Sequence, residues 1–179
     1  MEVRFLNVHT VTDEQLTRWE NWLSPQKRQR LECLPPQKRL QSLCGDGLAR
    51  EMLSRLLGTA PQEVTFTYTD TGKPLVEGAY FNVSHSGDMV GCAVSHRPVG
   101  LDIERVRPVS QRLRHALPQS TDSDEAFFRL WTKREALLKC CGESVARWRA
   151  EELSEDGYQF SYPFTAEDYV AAICEKRED

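Results

Sequence analysis

The residues best suited by type and spacing to do chemistry lie in one run, Val99-Gly100-Leu101-Asp102-Ile103-Glu104. Side chains of a strand alternate faces, so Val99, Leu101 and Ile103 are expected to enter a core while Gly100, Asp102 and Glu104 face the other way. The two carboxylates then stand about 7 Å apart along the strand. Acids on one face repel unless a cation sits between them, and a hard divalent ion with oxygen ligands meets that need. Magnesium commonly takes one or two carboxylates and completes its shell with water and substrate phosphate. A half-exposed strand with a polar outer face explains the same spacing, and from spacing alone it is the preferred explanation.

The segment around Trp131 shifts that balance. Phe127, Leu130, Trp131, Leu137, Leu138 and Cys141 form one apolar helical stripe, with Glu135 and Lys139 together at its edge. A core-facing helix of this kind can bring Glu135 to Asp102 and Glu104 as a third oxygen ligand, and Lys139 as a phosphate partner. The alternative is an ordinary (i, i+4) surface pair worth about 0.3–0.5 kcal/mol. Arg134 falls inside the apolar stripe, where it either snorkels or buries its guanidinium beside an acid. Gly72-Lys73-Pro74 reads as a tight turn carrying a lysine, and Ser84-His85-Ser86-Gly87 ends a strand with donors clustered at its tip. Each is weak by itself, since a turn lysine is usually solvated and a strand-end histidine usually packs or faces water.

The elements that must hold these residues follow from periodicity and caps. A strand covers Val3 to Val8. Thr12 with Gln15 makes a capping box ahead of Leu16, Trp19 and Leu23 at helical spacing. Ser24-Pro25 joins a cap to a first-turn proline and opens a short basic helix to about Glu32. After Pro35-Pro36, Leu40, Leu43, Cys44, Leu48, Met52 and Leu56 share one stripe up to Gly58, the longest helix of the chain. The period then changes to two. Val64, Phe66 and Tyr68 alternate with threonines, Asp70 to Pro74 forms a turn, and Tyr80 to Ser84, Met89 to Ser95 and Val99 to Glu104 are strands. Phe127 to Cys141 is helical again, and Tyr158 to Phe164 with Tyr169 to Cys174 form a closing hairpin. The class is α+β, mostly antiparallel strands packed on a few helices.

With 179 residues, 40% hydrophobic and 28% charged, the chain has the composition of one compact domain or two small lobes rather than of a disordered segment. A formal net charge of −4 argues against a nucleic-acid binder that neutralises many phosphates, although Lys27 to Arg30 with Lys38 and Arg39 make a local basic cluster. The first residues, MEVRFLNVHT, lack a basic leader, and no run approaches the roughly 20 apolar residues of a membrane span. A cytoplasmic protein without membrane association is expected. The six cysteines show no zinc spacing, and adjacent Cys140 and Cys141 suit no structural bridge, so reduced thiols packed mostly as small hydrophobes are expected.

Taken in order, GKP (72–74), FNVSHSG (81–87), VGLDIE (99–104) and FFRLWTKREALLK (127–139) resemble the 4′-phosphopantetheinyl transferases, and among them the monomeric type that activates surfactin synthetase. LSPQKRQR (23–30) and SLCGDGLAR (42–50) extend the likeness, which covers the chain to about Gly142. The resemblance implies two similar α+β lobes in pseudo-twofold relation, with coenzyme A in the cleft between them. Residues 1–98 would form the lobe on the 3′-phosphate and adenine side, and residues 99–179 the lobe with the metal ligands and catalytic helix. It also implies Asp102, Glu104 and Glu135 as magnesium ligands, and Lys139 on the diphosphate, assisted by Ser84 and His85. Lys73 would lie beside the adenine or its phosphates, and Lys27 and Arg30 would reach the 3′-phosphate.

The implied reaction is attack of a carrier-protein serine on the β-phosphate of coenzyme A, with release of 3′,5′-ADP. Glu135, directly or through a metal-bound water, would take the serine proton, while the metal, Lys139 and His85 meet the developing charge. The implied partner is an apo acyl, polyketide or peptidyl carrier protein, and the implied state a monomer. Two positions depart from the family pattern. Arg134 stands where a lysine is frequent before the helix glutamate, and Gln41 where the long helix usually carries an arginine. Arg39 or Ser42 could supply the 3′-phosphate contact that Gln41 lacks. The connection between Leu113 and Phe127 is short, in a region that serves carrier docking in the family. Arg105 to Arg114, with four arginines, is either the docking surface or a solvated basic loop. Two other readings compete: a non-catalytic binder of coenzyme A or of a carrier protein, and a metal-dependent phosphohydrolase. Three acids held with Lys139 count against the first; the second leaves GKP and FNVSHSG unexplained.

Overall fold

The computed structural model describes residues 1–69, 72–114, 122–142, 154–163 and 165–178. The chain divides into two compact units, Met1–His96 and Arg97–Asp179.

Unit 1 begins with β1 (Glu2–Asn7), followed by three helices, α1 (Asp13–Trp22), α2 (Pro25–Glu32) and α3 (Pro36–Leu57). The caps behave as the residue types dictate. Thr12 Oγ1 accepts the amide of Gln15 at 3.2 Å, and the Gln15 side chain accepts the Thr12 amide at 3.1 Å. Ser24 caps α2 through the Lys27 amide, and Gly58, at φ 68°, ends α3 in the left-handed conformation that costs glycine least. The expected stripe of α3 is buried at Leu43, Cys44, Leu48 and Met52, but Gly45, Gly47, Ala49 and Leu53 are buried as well. A Cβ on Gly47 would fall 2.2 Å from the Trp19 ring, and one on Gly45 2.8 Å from Val83 Cγ1. Glycine therefore lets α1 and the next hairpin close directly onto the helix.

That hairpin, β4 (Tyr80–Ser86) and β5 (Met89–Ser95), joins β1 in an antiparallel sheet of order β1-β5-β4. The alternation from Val64 to Tyr68 does not make a full strand. Pro61–Glu63 is a 3-10 turn, and only β2 (Thr67–Tyr68) pairs, with β3 (Pro74–Leu75). Val64 and Phe66 belong to the unit 1 core. Arg50 Nη1 claims the Val64 carbonyl at 2.7 Å, and Phe66 stacks on Phe81 at 5.1 Å between centroids. The period of two records packing, while a side chain has taken a backbone acceptor that a ladder would need. Asp70 and Thr71 of the expected turn lie outside the described residues. Gly72, at φ 81°, donates its amide to Thr69 O at 2.8 Å.

Unit 2 contains β6 (Val99–Arg105), α4 (Gln111–Arg114), α5 (Asp124–Cys141), β7 (Tyr158–Ser161) and β8 (Tyr169–Lys176), with an antiparallel sheet of order β6-β8-β7. The closing hairpin forms as expected, with Phe164 outside the described residues. Both units thus run strand, helices, hairpin, and in both the last strand pairs with the first. Helix α5, capped by Ser123 and ended by Gly142 at φ 75°, packs on β6 and β8. Its buried face differs from the expected stripe. Cys141 is exposed and Leu130 and Trp131 are half-buried, while Phe128, Thr132, Glu135, Ala136 and Cys140 are buried beside Phe127, Leu137 and Leu138. Gly100 explains the rotation: a Cβ there would meet the Ala136 carbonyl oxygen at 2.0 Å and the Cys140 amide nitrogen at 2.5 Å. The helix backbone lies where a side chain would have been, and the Ala136 side of α5 faces the strand.

All six cysteines are free; Cys44, Cys92, Cys140 and Cys174 are buried, and Cys33 and Cys141 exposed. No helix among the described residues is long and apolar enough to cross a membrane.

Candidate active site: a cationic pocket and an acid cluster

Unit 1 holds a cavity of about 300 Å³ that collects Lys27 and Arg30 from α2, Ser42 from α3, Lys73 from the turn before β3, and His85 from β4. These residues come from four separate stretches, so their convergence is a product of the fold and not of sequence proximity. The cations are held in place. Lys27 Nζ donates to Ser42 Oγ at 3.1 Å, and the Arg30 guanidinium sits 5.5 Å from the centroid of the Tyr68 ring. Around the turn, the Lys73 amide donates to Thr69 Oγ1 at 3.0 Å. Phe66, Tyr68 and Phe81 give the pocket aromatic walls. Three cations, donors and aromatic faces suit a phosphorylated nucleoside.

Ser84 is not among the lining residues. It is buried on β4, next to His85, and strand alternation turns it to the opposite face. Gln41, one residue before Ser42, does line the pocket and is only 3% exposed. Sequence reasoning missed the residues that shape the wall. Asp46 and Arg50 form a buried (i, i+4) pair at 2.6 Å, and Arg50 also covers the Phe66 ring at 4.8 Å. Their spacing inside GDGLAR was the available signal, but it reads the same on any exposed helix.

The acid cluster is in unit 2. On β6, Gly100 and Asp102 are buried, Asp102 at 5% exposure, while Glu104 is half-buried; Glu135, on α5, is 9% exposed. Lys139 Nζ donates to Asp102 Oδ1 at 2.6 Å and to the Leu101 carbonyl at 3.1 Å. Glu104 pairs with Arg107 at 3.0 Å. The Glu135 carboxyl is pushed above the usual carboxylate range, chiefly by burial and next by the charge of Asp102; Lys139 opposes this and Glu104 adds to it. Asp102, Lys139 and Glu104 therefore lie close enough to Glu135 to act on its carboxyl. No three His, Cys, Asp or Glu side chains among the described residues stand together as a ready metal cage. What the structure offers a metal is donor chemistry: hard carboxylate oxygens under mutual repulsion, with basic side chains as their present counterions.

Arg134 is half-buried on α5. Of the four arginines between Arg105 and Arg114, Arg107 is engaged with Glu104 and lies 4.7 Å from the Phe128 ring centroid, while Arg114 pairs with Asp124.

Comparison with known proteins gives this arrangement a family. Residues 10–97 match the 4′-phosphopantetheinyl transferase N-terminal domain, and residues 98–174 match the 4′-phosphopantetheinyl transferase superfamily domain. The chain is 33% identical over 140 residues to the 4′-phosphopantetheinyl transferase HetI of Nostoc sp., covering 66% of this chain and 59% of that protein. It is 29% identical over 151 residues to the 4′-phosphopantetheinyl transferase Sfp of Bacillus subtilis, covering 76% and 67%. With the 4′-phosphopantetheinyl transferase AcpT of Salmonella typhimurium it shares 35% over 113 residues, covering 54% and 57%. The matched part is 58–67% of the length of the first three curated relatives. With matched domains running from residue 10 to residue 174, the chain belongs to the 4′-phosphopantetheinyl transferase superfamily.

Proposed function

We propose that this chain transfers the 4′-phosphopantetheine arm of coenzyme A to a serine of an apo carrier protein and releases 3′,5′-ADP. The observation that carries the proposal is the acid cluster of unit 2, where Glu135 is buried within reach of the charges of Asp102 and Glu104 and Lys139 sits on Asp102. A module that only bound coenzyme A would have no use for carboxylates gathered against their own repulsion.

The roles divide by unit. Lys27, Arg30 and Lys73 take the 3′-phosphate and adenine end of coenzyme A, with Ser42 and His85 as additional donors. Lys139 donates to the diphosphate, and Ser84 is assigned to the same group by family likeness alone. The all-oxygen donor set fits magnesium, with Asp102, Glu104 and Glu135 as the residues that would hold it. When bound, the ion supplies neutralisation of the diphosphate oxygens and of the charge that builds on the leaving group. Glu135 accepts the serine proton, a task favoured by the raised proton affinity that its burial produces. Lys139 presents a donor to the oxygen on which charge develops. Since both sets of groups are on one chain, the protein works as a monomer, and its setting is the cytoplasm.

The test is mass spectrometry of apo acyl, polyketide and peptidyl carrier proteins incubated with the protein, coenzyme A and magnesium. A mass gain of one phosphopantetheine, lost with chelator and with Asp102→Ala, is the expected result. Coenzyme A binding with every carrier class unmodified would overturn the transferase reading in favour of a binding module. Release of 3′,5′-ADP without any carrier would instead mean hydrolysis.

A further inference from the structure

Gln41 is buried on α3, at 3% exposure, on the wall of the cationic pocket. Its Nε2 donates to the Gly87 carbonyl at 2.6 Å. A carbonyl can only accept, so this contact fixes which end of the amide faces Gly87. The other end, Oε1, is buried with no hydrogen-bond partner among the described residues. An orphan acceptor in a protein interior costs stability, and an apolar side chain of similar volume would avoid that cost. What the amide adds at this place is the tie to Gly87.

Gly87, at φ 54°, forms the tip of the β4–β5 hairpin. His85, a pocket residue, is two positions before it on β4. The tip is also contacted from the side of Val8 and His9. The Val8 amide donates to Asp88 O at 2.8 Å, and His9 Nε2 lies 3.2 Å from Asp88 Oδ1, with 69% of the histidine side chain exposed. The next residue of α3, Ser42, accepts from Lys27 Nζ at 3.1 Å. Successive residues of one helix thus hold two walls of the pocket: Ser42 holds α2 through Lys27, and Gln41 holds β4 through Gly87.

We infer that Gln41 is a positioning residue that fixes the β4–β5 tip, and with it His85, for binding the phosphorylated nucleoside end of coenzyme A. The inference rests on the reading of the pocket given under Proposed function.

Two variants test it in the full-length protein. Gln41→Met removes both the donor and the orphan acceptor at similar volume. Gln41→Glu keeps the shape but sets a carboxylate against the Gly87 carbonyl, and it makes the same comparison should the first not fold. Coenzyme A affinity is measured by calorimetry, alongside thermal midpoints and the KM for the carrier protein. Both variants are expected to weaken coenzyme A about tenfold, with carrier KM unchanged. Gln41→Met should show no fall in thermal midpoint, because the orphan acceptor has gone. In a His85→Ala background, Gln41→Met should cost less than about threefold, since its route runs through His85. Folded variants with wild-type affinity, or a full tenfold loss that persists without His85, would overturn the inference. A wild-type chain that fails to bind coenzyme A would overturn the reading of the pocket and this inference with it. A binding wild type with unaffected variants would remove the inference alone.

Discussion

Glu135 answers to two opposed demands. Its carboxyl is buried among like charges, which favours the protonated form, while its proposed role requires it to accept a proton. A folded-state pKa raised above the unfolded value gives a contribution to stability that is fully present below the unfolded pKa and is lost as pH rises through the folded one. Glu135→Gln cannot ionise. In metal-free buffer its thermal midpoint should therefore match the wild type in acid and exceed it increasingly toward neutral pH, a trend read directly from melts across a pH series. Transfer activity should move the other way, falling by about 100-fold or more. At the pocket, Lys27→Ala should raise the KM for coenzyme A about tenfold, with a smaller effect on dephospho-coenzyme A, because the lysine is assigned to the 3′-phosphate. Equal losses on both substrates in steady-state kinetics would take that assignment away.

At the scale of elements, what the sequence made legible were the features that act through local chemistry. The Thr12–Gln15 capping box, the Ser24-Pro25 start and the Gly58 stop all stand where the residue types put them. Thr12→Ala should cost about 1 kcal/mol by chemical denaturation and leave coenzyme A affinity unchanged. The β6 acids and the Glu135–Lys139 pair were legible for the same reason, since strand and helix periods place them before any tertiary contact forms. What stayed hidden depends on partners distant in sequence. Val64 and Phe66 look like strand residues until Arg50 and Phe81 claim them. The burial of Asp102 and the rotation of α5 both follow from Gly100, whose missing side chain admits a helix backbone that no local pattern announces. Gly100→Ala should destabilise the protein by about 1–3 kcal/mol, because the obstacle is main chain and cannot swing aside. It should also lower activity beyond the stability loss by moving Glu135 and Lys139; full activity in the fraction that remains folded would speak against that coupling.

At the scale of the molecule, the charge of the whole and the charge of the site have opposite signs. The chain carries a formal −4, yet the unit 1 pocket is lined by Lys27, Arg30 and Lys73 with Asp46 tied to Arg50. Attraction of an anionic ligand is then local and short in range. Coenzyme A affinity should weaken with added salt, while dephospho-coenzyme A weakens less. A titration at several ionic strengths in which the two ligands respond equally would count against the pocket as a reader of the additional phosphate. The cysteines carry a practical consequence. Four are sealed in the interior, while Cys33 is exposed in unit 1 and Cys141 in unit 2. A thiol-reactive dye applied to the native protein should therefore label one site in each unit without any engineering. Energy transfer between the two dyes would then become a ruler for following how the units respond as coenzyme A and a carrier protein are added.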